Sequence, residues 1–360
     1  MHKTDFKSFK VGTIFNSAVD SGEVGRPYSH VEISYPSRLE AMALDPAKIA
    51  DNNNLIYEAG QVDFCVALYK KIKVTLDLES KEITISERTP RKGLIRHAAL
   101  LMRQALNLDF GLIIDVDDPV NLRHCGLGSS SSLIAGTAAA INELFGAPMA
   151  PQDLVRYCAQ NHGEEVDSDD SILVPVQCIG GSGVCGHFDG GLVVLAGQAT
   201  PITTYILPET TRVVIGIPSD FNHPDSTELM NAEVDNINGF REAGEAYGPD
   251  IAYRLVHEAL PGLVNNNLKP MKDLIFDYRW NMGSIENCSF VYPKMIEIAE
   301  ALRDLRDDDR IEILSLSSVG PAFFGITNDV EYLEDRFKSL GMNTYVTKIH
   351  NGAYILNERN

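Results

Sequence analysis

No apolar run in the sequence approaches the length of a membrane-spanning helix, which argues against a membrane protein. The six cysteines, at 65, 125, 158, 178, 185 and 288, include no C-x-x-C pair. Neither a zinc site nor a disulfide framework is expected, and the cysteines read as reduced thiols. No basic stripe offsets a formal net charge of −19, so a nucleic-acid partner is excluded. The opening Met1-His2-Lys3-Thr4-Asp5-Phe6-Lys7 lacks the apolar core of a signal peptide, and a cytoplasmic location is expected. Internal repeats and low-complexity segments are also missing.

What is present is a chain of 360 residues with 44% hydrophobic content, enough for a large core in one or two domains. Its central feature is Cys125-Gly126-Leu127-Gly128-Ser129-Ser130-Ser131-Ser132, running into the helix formers of Leu133 to Ala140. Glycine lets a ligand approach the main chain, and the first N–H groups of a helix have no partner within it. The helix dipole there favours negative charge, and serine hydroxyls can cap the helix, donate to phosphate oxygens or hold magnesium. A phosphate-bearing ligand suits such a place, although a plain serine-capped helix would read the same way. No Gly-Lys-Ser/Thr closes the loop, so it is not a P-loop, and it lacks the third glycine of a dinucleotide fingerprint.

Along the chain, residues 1–30 read as an irregular extension. The alternation predicts a strand over Val31–Tyr35 ended by Pro36, then strands at Val62–Leu68 and Ile72–Leu78 after a turn at Asn52–Asn54. Glu82–Ser86 is expected to pair with Ile72–Leu78 across Glu79-Ser80-Lys81. Leu94–Leu106 has helical spacing, Phe110–Val116 reads as a strand, and Pro151–Ala159 as a short helix begun by proline. Gly163 to Ser171, with Glu164, Glu165, Asp167, Asp169 and Asp170, reads as a mobile loop or else a metal site. Strands at Leu192–Leu195 and Val213–Ile217 follow. The second half predicts helices over 226–243, 251–264, 270–280 and 292–305, with Arg241 to Asp250 as the break between lobes. Strands at 311–314 and 322–326, helix 330–340 and strands at 344–349 and 353–356 fit a ferredoxin-like sheet.

Pro36-Ser37-Arg38, the Gly126–Ser132 loop and Ser317-Ser318-Val319-Gly320-Pro321 together resemble the three motifs of the GHMP superfamily, named for galactokinase and the homoserine, mevalonate and phosphomevalonate kinases. The resemblance implies an α/β (α+β) protein with an S5-like N-terminal lobe over 31–220 and a ferredoxin-like C-terminal lobe over 221–360. Within the superfamily, Pro36-Ser37-Arg38-Leu39 with Asp45, Gly181-Ser182-Gly183-Val184 with Phe188, Gly190–Val194 and Ala259–Val264 are similar to β-ribofuranosylaminobenzene 5′-phosphate synthases. Cys185 stands where many of the kinases carry a proton-accepting aspartate, and a thiol is a poor substitute for it. The expectation is therefore a transferase that joins an aromatic or heteroaromatic acid to phosphoribosyl pyrophosphate (PRPP), releasing CO2 and pyrophosphate. Val319 and Glu40 stand where those synthases favour an aromatic residue and a histidine.

On that resemblance, Gly126, Leu127, Gly128, Ser129, Ser130, Ser131 and Ser132 would bind the phosphates. Magnesium would sit on Ser130 and Glu165, or its neighbour Glu164. Arg38, Asp45 and His187 are the candidate catalytic groups. Arg38 could instead form a surface ion pair, Asp45 cap a turn and His187 be structural. Ser182, Gly183, Ser317, Ser318 and Gly320 would face the substrate. A homodimer with small-molecule substrates is implied. Two alternatives stand beside this reading: an ATP-dependent kinase of a small alcohol or hydroxy acid, with Asp189 as a displaced base, and a non-catalytic ligand-binding homologue.

Overall fold

A two-residue strand β1 (Phe9–Lys10) precedes the two longest strands, β2 (His30–Leu44) and β3 (Gly60–Asp77), in this computed structural model, which describes residues 8–18, 23–44, 46–47, 59–166, 169–175 and 180–360. The antiparallel β2–β3 pair slips register between Tyr35 and Ser37 and again between Glu40 and Met42. Pro36 therefore lies at a bulge, where a missing N–H costs no ladder bond, and the strand continues where the sequence predicted its end. The expected strands over 62–68 and 72–78 are likewise one strand. The turn predicted at Asn52–Asn54 lies outside the described residues.

The N-terminal lobe continues with β4 (Ile83–Ile85), α1 (Lys92–Ala105), β5 (Gly111–Asp117), α2 (Ser129–Leu144), α3 (Pro151–Gln160), β6 (Glu164–Val166), β7 (Asp169–Val174), α4 (Gly180–His187), β8 (Leu192–Ala196) and β9 (Thr200–Tyr205). β4 pairs in parallel with β5 and not with β3, so the predicted hairpin is replaced by a crossover. β6 and β7 pair antiparallel, and β7 also takes β1, so the acidic stretch read as a loop supplies strands. α4 is a helix that the glycine-rich sequence did not predict. Its glycines let it lie against β2 and β3: a Cβ on Gly186 would meet the Tyr35 ring at 2.0 Å.

The C-terminal lobe has β10 (Arg212–Pro218), α5 (Ser226–Asp235), α6 (Ile237–Arg254) running through a π-helical turn at Leu255–Ala259 into α7 (Leu260–Val264), then α8 (Lys269–Trp280), α9 (Ser284–Cys288), α10 (Met295–Leu302), β11 (Ile311–Leu316), β12 (Phe323–Thr327), α11 (Val330–Ser339) and β13 (Met342–Lys348). Its sheet order is β11-β12-β10-β13 with every pair antiparallel, a ferredoxin-like arrangement as expected, but its fourth strand is β10, expected to close the first half of the chain, and not the segment 353–356. Arg241 to Asp250 is the interior of α6 and not a break. The last strand, β14 (Ile355–Arg359), returns to pair with β2 in the seven-stranded N-terminal sheet.

Alternation along the far half of β2 and β3 explains how the lobes join. Leu39, Val62 and Phe64 face a core shared with Val213, Ile215 and Phe324 of the C-terminal sheet. Arg38, Glu40, Gln61, Asp63 and Cys65 point the other way, toward α4 and the glycine loop. No helix among the described residues is long and apolar enough to cross a membrane.

Candidate active site

The three sequence motifs meet at one atom. The Gly126 carbonyl accepts from Ser317 Oγ at 2.7 Å and from Arg38 Nη1 at 3.3 Å. Ser317 Oγ also accepts from the Glu40 amide at 3.1 Å, so the far lobe's turn is held to both β2 and the loop. Gly126 and Gly128 adopt φ of 90° and 63°, and α2 begins directly after Gly128. A Cβ on Gly128 would lie 2.7 Å from Ser182 Oγ and 3.0 Å from Arg38 Cγ. Three non-glycine residues with left-handed backbone, Arg91, His124 and Ser318, converge on this loop. Such conformations persist where the surroundings over-determine them and are concentrated at functional sites.

A cavity of about 570 Å³ opens over the loop, lined by Ser129, Ser130, Ser131, His124, His162 and Glu164, among others. Arg91, its side chain 1% exposed, braces this cavity from below. Its guanidinium donates to Ser129 Oγ at 2.9 Å, to Ser130 Oγ at 2.6 Å, to Glu165 Oε1 at 2.5 Å and to Glu164. Burial raises both carboxyls and Arg91 opposes it. Glu164 ends below the ordinary carboxylate range, with His124, Ser130 and His162 adding to Arg91. Glu165 ends above that range, because the Glu164 charge adds to burial. Burial also drives the His162 imidazole down to about 4, so it is neutral at physiological pH. Behind the loop, buried Lys70 donates to Ser37 Oγ at 3.2 Å and shares a cavity of about 260 Å³ with Leu68, Val120, Leu122 and Ser129. Burial lowers the Lys70 ammonium pKa.

A second cavity, of about 770 Å³, adjoins the first, and the two share Arg38, Leu229, Ser318 and Val319. Its polar lining includes Glu40, Glu233 and Arg279. Glu40 is held by Arg38 at 3.1 Å and by Gln61 at 3.3 Å. Asp63 is fully buried 3.7 Å from Arg38 Nε, at the first turn of α4. Arg279, also buried, donates to the carbonyls of Ala41, Glu40 and Ser318 and to the hydroxyls of Ser284 and Ser315. Among the described residues no carboxylate pairs with it, so the cavity keeps a cation whose charge is available to an anionic ligand.

Of the residues singled out in the sequence, Arg38, Gly126, Leu127, Gly128, Ser129, Ser130, Ser131 and Ser318 line the loop cavity. Ser132 turns inward to donate to the Gly128 carbonyl at 2.8 Å. Ser182 shares a 2.6 Å hydrogen bond with Ser131 beneath the loop, while Gly183 packs against Val155. Ser317 holds the loop, and Gly320 packs on Met295 and Leu316 away from the cavities. His187 is tucked behind α4 against Tyr35, its Nδ1 2.9 Å from the Gly183 carbonyl, and lines neither cavity. Glu164, and not Glu165, reaches the loop cavity. Asp45 lies outside the described residues. Sequence reasoning missed Arg91, Lys70, His124, His162, Asp63, Glu233 and Arg279. For Arg279 a signal existed: it lies three and four residues after Phe276 and Ile275 on the buried face of α8, where an unpaired charge is out of place.

Residues 93–181 match the family described as GHMP kinases, N terminal domain. A homoserine kinase of Methanococcus vannielii is 24% identical over 290 residues, covering 79% of this chain and 85% of that protein. Among solved structures, a homoserine kinase from Cytophaga hutchinsonii superposes with a TM-score of 0.57 at 15% identity, covering 91% of this chain and 97% of that one. A mevalonate pyrophosphate decarboxylase from Streptococcus pyogenes gives 0.64 at 14% identity, with 91% and 98% covered. Residues 93–181 therefore resemble a GHMP kinase N-terminal domain, and the two-lobed α/β fold is similar to those of the solved homoserine kinase and mevalonate pyrophosphate decarboxylase. These findings overturn the expected PRPP-dependent decarboxylating synthase: the matching relatives are homoserine kinases, which favour the ATP-dependent alternative. The physical reason lies at Cys185. It is fully buried beside Cys65, whose thiol donates to the Cys185 carbonyl, and it faces neither cavity. Its identity therefore does not discriminate between phosphoryl and ribosyl transfer.

Proposed function

We propose that this protein is an ATP-dependent kinase that phosphorylates the hydroxyl of a small acid. The observation that carries the reading is the pair of adjoining cavities. The loop cavity offers main-chain N–H groups and three serine hydroxyls for a triphosphate. The neighbouring one offers Arg279 for an acceptor's carboxylate. Arg38 and Ser318, shared by both, mark where the acceptor hydroxyl would meet the γ-phosphate. Transfer forms the acceptor O–P bond, breaks the bridging P–O bond to release ADP and frees one proton.

Ser130 and Glu164 fit magnesium, which keeps several waters and needs one or two protein ligands. The bound ion would neutralise charge on the β- and γ-phosphate oxygens. Among the described residues no cluster of three or more metal-ligating acids, cysteines or histidines occurs, which suits such a sparse site.

The test is release of ADP from magnesium–ATP with a panel of small hydroxy acids and hydroxy amino acids, homoserine included. ADP formed only with an acceptor supports the reading; no ADP with any member sinks it. Ser130→Ala and Glu164→Gln are each expected to lower kcat by roughly tenfold to a hundredfold, with partial rescue by raised magnesium.

A further inference from the structure

We propose that Glu233, on helix α5 of the C-terminal lobe, takes the proton of the acceptor hydroxyl during transfer. This rests on the kinase reading and identifies a group that lies outside the three motifs. Among the described residues, the other nearby carboxylates are placed for other tasks. Asp189, the expected stand-in, is exposed, accepts from the Ala353 amide at 3.3 Å and lines neither cavity. Asp63 lies beneath α4 beside Arg38. Glu40 is held by Arg38 and Gln61, and Glu164 faces the phosphate side under Arg91.

Glu233 is placed differently. Leu229, Glu233 and Ile237 follow one another at four-residue spacing and all line the acceptor cavity. Leu229 lines the loop cavity as well, so Glu233 stands about one helical turn, roughly 6 Å of rise, from the boundary where transfer would occur. Helix α5 is fixed there by two contacts. Asp225 caps it through the amides of Thr227 and Glu228, and Ser226 Oγ lies 3.0 Å from Nε2 of His124 on the loop side. The half-buried Glu233 carboxylate makes no hydrogen bond or ion pair among the described residues. Burial, and then the Glu40 charge, push its pKa up to about 7. A carboxylate so placed can accept a proton near neutral pH. The groups facing it are Arg38 and Glu40 from β2, Tyr278 and Arg279 from α8 and Cys288 from α9, while α6 presents Ile237 and Phe240.

In the transfer step the acceptor O–H bond breaks as its oxygen bonds to the γ-phosphorus. The proton passes to a Glu233 oxygen and ADP leaves. The test compares wild type, Glu233→Gln and Glu233→Asp for ADP formation from magnesium–ATP and acceptor, over about pH 5.5 to 9. For Glu233→Gln, kcat is expected to fall roughly a hundredfold to a thousandfold while both KM values stay within about threefold. Glu233→Asp should retain part of the rate. Because a base must be deprotonated, wild-type kcat should fall as pH drops through the carboxyl's pKa, and Glu233→Gln should lose that limb. Calorimetric binding of magnesium–ATP to each variant shows that it is folded. Wild-type kcat in Glu233→Gln overturns the proposal. So does a rise in KM confined to amine-bearing acceptors with kcat unchanged, which would make Glu233 an ammonium anchor. If the wild type itself makes no ADP with any acceptor, the kinase reading has failed, and this inference falls with it.

Discussion

Replacing Arg91 with methionine is expected to destabilise the fold by about 3–5 kcal/mol and to abolish measurable turnover. Arg91 is the cation between two buried carboxylates, and its fork also positions the hydroxyls of Ser129 and Ser130. Methionine fills similar volume but leaves Glu164 and Glu165 charged in a site that Arg123, 3.6 Å from Glu165, only partly serves. Without the guanidinium, burial holds both carboxyl pKa values above their unfolded values. The folded variant then binds more protons than the unfolded chain, so its stability falls as pH rises through those raised values. The deficit relative to wild type should be larger at pH 8 than at pH 5, as read from denaturant midpoints. Adding Glu164→Gln and Glu165→Gln should recover most of the stability and none of the activity. A single variant within about 1 kcal/mol of wild type at pH 8 would show that the cluster does not depend on Arg91.

That cluster also shows what the sequence could convey. α1 and β5 were legible because each has its own apolar period, and each was located to within a residue or two. Element order pointed to a ferredoxin-like sheet but gave it 353–356 as a strand, whereas β10 fills that place and the C-terminal strand crosses to β2. The acidic run from Glu164 was misread because its charge is balanced by an arginine more than seventy residues earlier, which no local pattern reveals. α4 was invisible because its glycines have poor helix propensity; packing against Tyr35 requires them. The functional expectation failed for a related reason. Cys185 was weighed as if it faced substrate, whereas the helix carrying it turns the residue into the core. The Gly126–Ser132 loop could be singled out because glycines stand at its turns and serines open the helix after it. The second cavity could not, because Glu233 and Arg279 reach it from separate helices of the far lobe.

Gly126→Ala is expected to lower kcat/KM for ATP by at least about a hundredfold, and a comparison with Gly146→Ala separates the reasons. Both glycines have φ near 90°, at 90° and 84°, so an alanine at either carries similar backbone strain. At Gly146, beyond the end of α2, an added Cβ meets nothing within 4 Å. That variant should lose only about 1 kcal/mol of stability and keep its activity. At Gly126 the Cβ would lie 2.1 Å from the Ser317 carbonyl oxygen, a backbone atom that cannot swing aside. Either the loop or the far lobe's turn must move. The Ser317–Gly126, Arg38–Gly126 and Ser317–Glu40 hydrogen bonds would loosen together, along with the bond from the Ala322 amide to the Cys125 carbonyl at 3.3 Å. Those bonds set the two cavities side by side, and a displacement of about 1 Å in such an arrangement is enough to cost about two orders of magnitude in rate. Equal kinetics for the two variants would mean that φ alone matters and that the junction of the three motifs tolerates being opened. Loss confined to Gly126→Ala would tie activity to the close approach of the loop and the Ser317 turn.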